Sequence, residues 1–194
     1  MSEKEKMLAG ELYDANYDEE LINERLKNKD RCYEYNNIKP SNIDERTRVL
    51  DEILGKHKNS FYIEPPFWCD YGYNIEIGEN FNANHGLIIL DPAKVKFGDN
   101  VFIAPNCGFY TAGHPIEYQL RNKGLEYAEP IVVGNNVWIG GNCCVLPGVT
   151  IGDNVVIGAG SVVNKNIPSN SVAVGNPCKV IRKIGDDGTG VYRI

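Results

Sequence analysis

The sequence predicts a mostly β protein that winds as a parallel β-helix and begins with a helical module. Three observations support this prediction: helical hydrophobic spacing at the start of the chain, a change of composition at Pro65 and Pro66, and a six-residue repeat after them. We expect the helical module to span residues 1–60 and the β-helix residues 61–184, followed by a tail at residues 185–194.

Two helices are predicted within the helical module. Asp18 is suited to cap the first, because a short carboxylate can accept a hydrogen bond from the free backbone N–H groups at a helix start. The apolar residues expected to share its buried stripe are Leu21, Leu26, Cys32 and Tyr33. The charged residues of this segment, Arg25 among them, are expected to form a solvated face. The second helix is predicted to begin at Ser41 and to stop at Gly55, which puts His57 at its C-terminal end.

From Val133 onward the chain repeats a six-residue pattern. The first position of each unit is aliphatic and β-branched, and it is occupied by Val133, Ile139, Val145, Ile151, Ile157 and Val163. The second position is usually glycine, and the fifth is mostly small or apolar. Each unit is long enough for one short strand and one turn, and glycine and asparagine tolerate the backbone angles that such turns require. Three units close a triangular coil, so about eighteen residues form one turn of the predicted β-helix.

An earlier block follows the same rule in two phases. Its units begin at Ile77, Ala83 and Ile89 and then, after a slip of two residues, at Phe97, Ile103 and Phe109. The residues around Asp91–Lys96 are therefore expected to bulge outward. Residues 111–130 break the period and are predicted to leave the coil as an excursion loop. Because repeat proteins often carry their function on such insertions, His114 in this loop is a candidate functional residue.

Charge and cysteine content argue against several classes of protein. The formal net charge of −6 disfavours a nucleic-acid-binding protein, since such proteins are usually basic. The first ten residues are charged and lack the apolar core of a signal peptide, and we find no run of about eighteen apolar residues that could span a membrane. Six cysteines occur without a CxxC pair. We therefore expect free thiols in a reducing cytoplasm.

Several stretches together resemble the maltose and galactoside O-acetyltransferase group of the hexapeptide-repeat acyltransferases. They are MLAGELYDA near the N-terminus, VGNNVWIGG, LPGVTIGDN and IGAGSVV in the repeat, and VGNPCKVIRKI near the C-terminus. The resemblance covers about residues 7–184. It implies a left-handed β-helix, a homotrimer with active sites between subunits, and transfer of an acetyl group from acetyl-CoA to a sugar hydroxyl without a metal.

The resemblance assigns the general base to His114, in the motif TAGHP. Acetyl transfer to a hydroxyl requires a base, and a neutral imidazole near physiological pH suits this role. The attack puts negative charge on the carbonyl oxygen of the thioester, which backbone N–H groups can stabilise. The resemblance places one such donor at Gly141, where the lack of a side chain also allows a ligand to approach the backbone closely.

Two sets of binding residues also follow from the resemblance. Those matched to the acceptor sugar are Asp70, Asn82, Asn84, Asp91 and Glu126, with Asp14 or Asn16 of the helical module as further candidates. Those matched to coenzyme A are Trp138, Gly141, Ala159, Asn164, Lys165, Lys179 and Arg182. Carboxylates and amides suit a polyol because they offer directional hydrogen bonds, and basic side chains suit the phosphates of the cofactor.

Other interpretations of the chemistry stay open. A xenobiotic, an amino-sugar nucleotide or serine could replace the sugar as acceptor, although the helical module favours the maltose and galactoside group. A zinc carbonic anhydrase built on the same kind of β-helix would need three histidine ligands. The chain has three histidines, of which His57 lies in the helical module, so we disfavour this alternative. A β-helix that serves only as a scaffold is the remaining alternative.

Overall fold

The computed structural model describes residues 1–185, so the predicted tail lies outside the described residues apart from Gly185. Three helices precede the β-helix, and a short fourth lies in the excursion loop: α1 (Glu3–Ala9), α2 (Glu19–Asn37), α3 (Ile43–Ile53) and α4 (Tyr118–Arg121). No helix within the described part of the chain is long and apolar enough to cross a membrane.

Capping interactions explain where the first helices begin. Asp18 accepts a hydrogen bond from the backbone N–H of Leu21 at 2.9 Å, so the predicted cap of α2 is confirmed. Ser2 and Glu5 form a capping box at the start of α1, a helix that the sequence analysis did not single out. The cap of α3 is Asn42 rather than the expected Ser41, which differs by one residue.

The buried face of α2 differs from the predicted stripe. Leu26 and Tyr33 are 54% and 65% exposed, so their assignment to the core was wrong. The buried residues of this helix are Leu21, Asn28, Cys32 and Tyr35. Arg25 lies four residues after Leu21 and is therefore on the same face, not on a solvated one. The prediction was right for Leu21 and Cys32 but missed Asn28, because it counted apolar residues only and Asn28 is buried while it donates a hydrogen bond to the carbonyl of Cys69.

Short strands make up the rest of the chain. After β1 (Tyr13–Asp14), they are β2 (Lys56–His57), β3 (Phe61–Ile63), β4 (Phe67–Cys69), β5 (Ile75–Ile77), β6 (Phe81–Ala83), β7 (Leu87–Leu90), β8 (Val95–Phe97), β9 (Val101–Ile103), β10 (Gly108–Tyr110), β11 (Ala112–Gly113), β12 (Leu125–Ala128), β13 (Ile131–Val133), β14 (Val137–Ile139), β15 (Cys144–Val145), β16 (Thr150–Ile151), β17 (Val155–Ile157), β18 (Val162–Val163), β19 (Ser171–Val174) and β20 (Lys179–Lys183). The β-helix therefore begins at Lys56, and His57 lies in its first strand instead of at the end of a helix.

Three parallel sheets form the walls of the coil, which confirms the predicted parallel β-helix. Sheet 1 contains β2, β5, β8, β13 and β16; sheet 2 contains β3, β6, β9, β14, β17 and β19, with β20 added antiparallel; sheet 3 contains β4, β7, β10, β15 and β18. The chain visits the three sheets in this order, so each coil supplies one strand to each wall. Trp138 in β14, for example, pairs with Phe102 one coil before and Val156 one coil after.

The interior of the coil is built by the predicted repeat. All six first-position residues from Val133 to Val163 are at most 1% exposed. Phe97 stacks between Phe81 and Phe109 with ring centroids 5.0 Å apart on each side. The tight corners are held by asparagines in the left-handed backbone region, namely Asn80, Asn100, Asn106, Asn136, Asn142, Asn154 and Asn170. Apolar first positions and left-handed corner residues together account for the regular coil.

The segment Asp91–Lys96 does not bulge outward as expected. Asp91 is fully buried at the end of β7, and Val95 is buried at the start of β8. The carboxylate of Asp91 accepts hydrogen bonds from the backbone N–H groups of Asp70 at 3.0 Å and Tyr71 at 2.9 Å, on the preceding coil. The segment at which the repeat slips therefore stays close to the coil, because the Asp91 carboxylate connects the corner after β7 to the corner after β4.

The excursion loop folds back onto the helical module. Strands β11 and β12 pair antiparallel within the loop, and β1 adds to the other edge of β12. Tyr13 is the partner of Glu126 and Asp14 is the partner of Leu125. Backbone pairing therefore joins the start of the chain to the loop that carries His114.

Candidate active site

His114 lies directly after β11, and its side chain is 48% exposed. Its Nδ1 lies 3.1 Å from the carbonyl oxygen of Leu125 in β12. A carbonyl oxygen only accepts hydrogen bonds, so this contact favours the neutral tautomer with the proton on Nδ1. The lone pair of Nε2 then remains available to accept a proton from a bound molecule.

A polar pocket of about 110 Å³ lies next to this histidine. It is lined by Tyr13, Asn16, Arg25, Asp70, Tyr71, Pro92 and Glu126. These residues come from the helical module, from the corners after β4 and β7, and from the excursion loop. Glu126 connects the pocket to the histidine, since its Oε1 is 3.7 Å from Nε2 of His114. The arrangement brings a base to the edge of a cavity rich in hydrogen-bonding groups.

Arg25 is the main residue of this pocket that the sequence analysis misjudged. Its guanidinium donates to the hydroxyl of Tyr71 at 2.7 Å and to the carbonyl of Ala15. Asp70 lies in the same pocket; burial raises the pKa of its carboxyl, while the positive charges of Arg25 and Lys29 lower it. The signal that could have found Arg25 was its four-residue spacing from Leu21, a pattern that puts both on one helix face.

Asp91 lies behind this pocket and not on its wall. It is 0% exposed, and burial raises the pKa of its carboxyl to about 7, although the hydrogen bond from the backbone of Tyr71 opposes this shift. Its Oδ2 atom has no hydrogen-bond partner among the described residues. Asp91 was expected to contact the acceptor, but in this structure its carboxylate holds the corner that carries Asp70.

The two asparagines matched to the acceptor lie in a different place. Asn82 and Asn84 line a groove of about 370 Å³ on the outer side of sheet 2, together with Tyr62, Phe102 and Trp138. Trp138 is 44% exposed there. The side chain of Asn84 accepts a hydrogen bond from the backbone N–H of His85 at 2.8 Å. Within one chain, the expected acceptor residues therefore form two separate groups.

The residues matched to coenzyme A also lie at more than one corner. Gly141 and Ala159 occupy successive corners between sheets 2 and 3, where the carbonyl of Gly141 accepts from the N–H of Gly160 at 2.8 Å. Asn164 and Lys165 are exposed at the corner after β18, and Lys179 and Arg182 lie on β20. At Gly140 an added Cβ would come within 2.6 Å of the backbone nitrogen of Ala159, so the stacking of these corners depends on glycine.

The described residues contain no group of three or more histidine, cysteine, aspartate and glutamate side chains arranged to hold a metal ion. The three histidines are dispersed along the chain: His57 lies in β2, His85 follows β6 and His114 follows β11. The structure therefore does not bring together the ligand set that the zinc carbonic anhydrase alternative requires.

Known proteins share the fold over nearly the whole chain. The family model for the maltose acetyltransferase hexapeptide capping motif matches residues 6–58, and that for the bacterial transferase hexapeptide matches residues 130–165. The galactoside O-acetyltransferase of Escherichia coli K12 is 47% identical over 188 residues, which cover 97% of this chain and 92% of that protein.

Two solved structures extend this similarity. A galactoside acetyltransferase in complex with coenzyme A has a TM-score of 0.94 and 45% identity, and the match covers 100% of this chain and 96% of the other. A maltose O-acetyltransferase from Clostridium difficile 630 has a TM-score of 0.92 and 54% identity, with 95% and 98% covered. The coil thus has the left-handed β-helix fold that the resemblance implied. The chain belongs to the galactoside and maltose O-acetyltransferase family of hexapeptide-repeat acyltransferases, and it is an acetyltransferase.

Proposed function

We propose that this protein transfers an acetyl group from acetyl-CoA to a hydroxyl group of a sugar, with His114 as the general base. The observation that carries the proposal is the fixed orientation of His114, whose Nδ1 is held by the carbonyl of Leu125 and whose Nε2 faces Glu126 at the edge of a polar pocket. Nε2 removes the proton of the hydroxyl as its oxygen attacks the thioester carbonyl. The bond between carbon and sulfur then breaks, and the departing thiolate takes the proton from the imidazolium.

The polar pocket supports a sugar as the acceptor. Arg25 offers N–H donors, the carboxylates of Asp70 and Glu126 offer acceptors, and Asn16 offers both. A polyol has hydroxyl groups that both donate and accept, so it can satisfy this mixed set. The relatives whose names state a sugar acceptor, a galactoside or maltose, support the same class.

Acetyl-CoA as the donor is supported by relatives and by exposed groups on this chain. One similar structure contains coenzyme A, and another, from Vibrio cholerae and 36% identical, contains acetyl-CoA. The open corners at Gly141 and Ala159 suit close approach of an extended ligand, and we assign the N–H of Gly141 to the thioester oxygen. Trp138 can line the ligand. The polar and basic groups for its phosphates are Asn164, Lys165, Lys179 and Arg182.

Free thiols at all six cysteines support a reducing compartment, so we place the reaction in the cytoplasm.

We also propose a homotrimer with active sites between subunits. The outer side of sheet 2 exposes Phe102 and Trp138, and that of sheet 3 exposes Trp68 and Ile88, each between 36% and 44%. The outer side of sheet 1 instead carries the charged residues Lys56, Glu76 and Lys96. A closed ring needs two different contact faces on each subunit, and sheets 2 and 3 provide them. Such packing can bring the groove of Asn84 on one subunit to His114 of its neighbour.

The trimer predicts a particle mass of three times 21.6 kDa in solution. Phe102→Asp should lower the measured mass, because it puts a charge in the apolar centre of sheet 2. Val132→Asp is the matched control, since Val132 is similarly exposed, at 38%, but lies on the charged sheet 1. Light scattering coupled to size exclusion measures both variants. A wild-type monomer with full activity would contradict a site shared between subunits.

Acetyl transfer to sugars predicts release of free thiol when purified protein is mixed with acetyl-CoA and a sugar. The panel should contain maltose, glucose and galactosides, with serine, an amino-sugar nucleotide and a xenobiotic amine or alcohol as alternative acceptors. We expect the sugars to accelerate thiol release above the rate without acceptor. Faster release with a member of the second group would change the acceptor class. No release with any acceptor would contradict the proposed activity.

A further inference from the structure

Glu126 has contacts that a residue binding only the acceptor would not need. Its Oε1 lies 3.7 Å from Nε2 of His114, and its Oε2 accepts a hydrogen bond from the hydroxyl of Tyr13 at 3.0 Å. Its side chain is only 18% exposed, so water screens its charge weakly. One oxygen of this carboxylate is therefore held by the Tyr13 hydroxyl, while the other faces Nε2 of His114.

Tyr13 is suited to hold the carboxylate permanently. The residue is 1% exposed, and its strand pairs with β12 so that Tyr13 lies opposite Glu126. Burial, followed by the nearby charge of Glu126, raises the pKa of the Tyr13 phenol far above its ordinary value. The hydroxyl consequently remains a donor at any pH at which the enzyme works, and it fixes the orientation of Glu126.

The distance between Glu126 and His114 suits one protonation state of the ring better than the other. When the proton is on Nδ1, both Nε2 and the carboxylate are acceptors, and they make no hydrogen bond at 3.7 Å. Once Nε2 takes a proton from the acceptor, the ring becomes a cation beside an anion and can donate to it. Glu126 thus stabilises the protonated state that forms during the reaction more than the ground state, as catalysis requires.

Other charges around Glu126 do not replace this interaction. Arg25, the nearby cation of the pocket, donates to Tyr71 and Ala15. Asp70 is an anion that also lines the pocket. We propose that Glu126 is a positioning residue that stabilises the imidazolium of His114 during acetyl transfer, with Tyr13 fixing its carboxylate. This inference rests on the proposed role of His114 as the base.

The test separates turnover from binding. Glu126→Gln keeps the shape and removes the charge, and we expect kcat to fall about 10-fold to 100-fold with the KM for the acceptor nearly unchanged. Glu126→Asp keeps the charge and should retain more of kcat than the glutamine variant. Tyr13→Phe should lower kcat by about 3-fold to 10-fold, since it removes one neutral donor. Glu117→Gln, an exposed glutamate in the same loop, is the matched control with unchanged kinetics.

A double variant tests whether Glu126 acts through the histidine. In a His114→Ala background, Glu126→Gln should cause no further loss of kcat, because there is no imidazolium left to stabilise. A full additional loss would overturn the inference, as would a raised KM with unchanged kcat, which would leave Glu126 with a role in acceptor binding only. Normal turnover of His114→Ala alone would instead contradict the proposed base. The two failures are therefore distinguishable.

Discussion

His114→Ala is expected to lower kcat by about 10²-fold to 10⁴-fold, the range in which a positioned general base contributes. The variant removes the imidazole beside Glu126, while the Leu125 carbonyl that orients the ring belongs to the backbone of β12 and stays in place. Coenzyme A binding and subunit assembly should be unaffected, because the side chain is half exposed and forms no part of the core. The release of free thiol in the presence of a sugar measures kcat, and calorimetry measures the affinity for coenzyme A.

Two further variants make the result specific. His114→Asn can still donate to the carbonyl of Leu125 but has no basic nitrogen, so it should be as slow as the alanine variant. His57→Ala is the control, since His57 lies in β2, in a different part of the molecule, with its Nε2 atom 3.1 Å from Oδ1 of Asp51. Wild-type turnover in His114→Asn would show that the ring only positions its neighbours and would remove the base from the mechanism.

The interior of the β-helix could be predicted from the sequence because its determinants are local. Each buried first position, from Ile77 to Val163, is specified within six residues by an apolar side chain and a turn. Asparagines such as Asn136 adopt the left-handed conformation at the corners, which the composition of the repeat already favours. The one failure in this region was Asp91. An outward bulge was expected there, because a sequence does not reveal that a carboxylate will turn inward to accept hydrogen bonds from the preceding coil.

The candidate site was less predictable, because it is formed by contacts between residues that are far apart in the sequence. Tyr13 and Glu126 lie 113 residues apart in the sequence. They meet because two residues of β1 pair with two residues of β12, and neither stretch carries a hydrophobic pattern. The hydrogen bond of His114 to Leu125 likewise depends on the antiparallel pairing of β11 with β12. The separation of Asn84 from His114 onto different faces could not be anticipated from residue types alone. Asn84 follows β6 of sheet 2, whereas the loop that carries His114 follows β10 of sheet 3.

Asp91→Asn is expected to raise the free energy of unfolding at pH 8 and to flatten its dependence on pH. The carboxyl of Asp91 has a pKa of about 7 in the folded protein, whereas an aspartate in an unfolded chain has a pKa of about 3.9. Between these values the unfolded chain loses the proton and the folded protein keeps it. The free energy of unfolding therefore falls as the pH rises from about 4 to about 7, and the loss is complete above pH 7.

The size of the effect follows from the same two values. Each unit of difference in pKa corresponds to about 1.4 kcal/mol, so this group costs at most about 4 kcal/mol at pH 8, and we expect about 2–4 kcal/mol. Asparagine cannot ionise, and its side-chain oxygen can still accept from the backbone N–H groups of Asp70 and Tyr71. Its amide nitrogen takes the place of the buried Oδ2 atom, which has no partner among the described residues, so the substitution breaks no hydrogen bond there.

Chemical denaturation of both proteins at equal concentration between pH 5 and pH 8 measures the difference, since the proposed homotrimer would make apparent stability depend on concentration. Asp99→Asn is the control of opposite sign: the hydrogen bond from Lys58 lowers the pKa of Asp99, so its removal should lower the free energy of unfolding at pH 8 instead of raising it. Parallel pH profiles for Asp91→Asn and wild type would show that Asp91 ionises as an ordinary surface carboxyl.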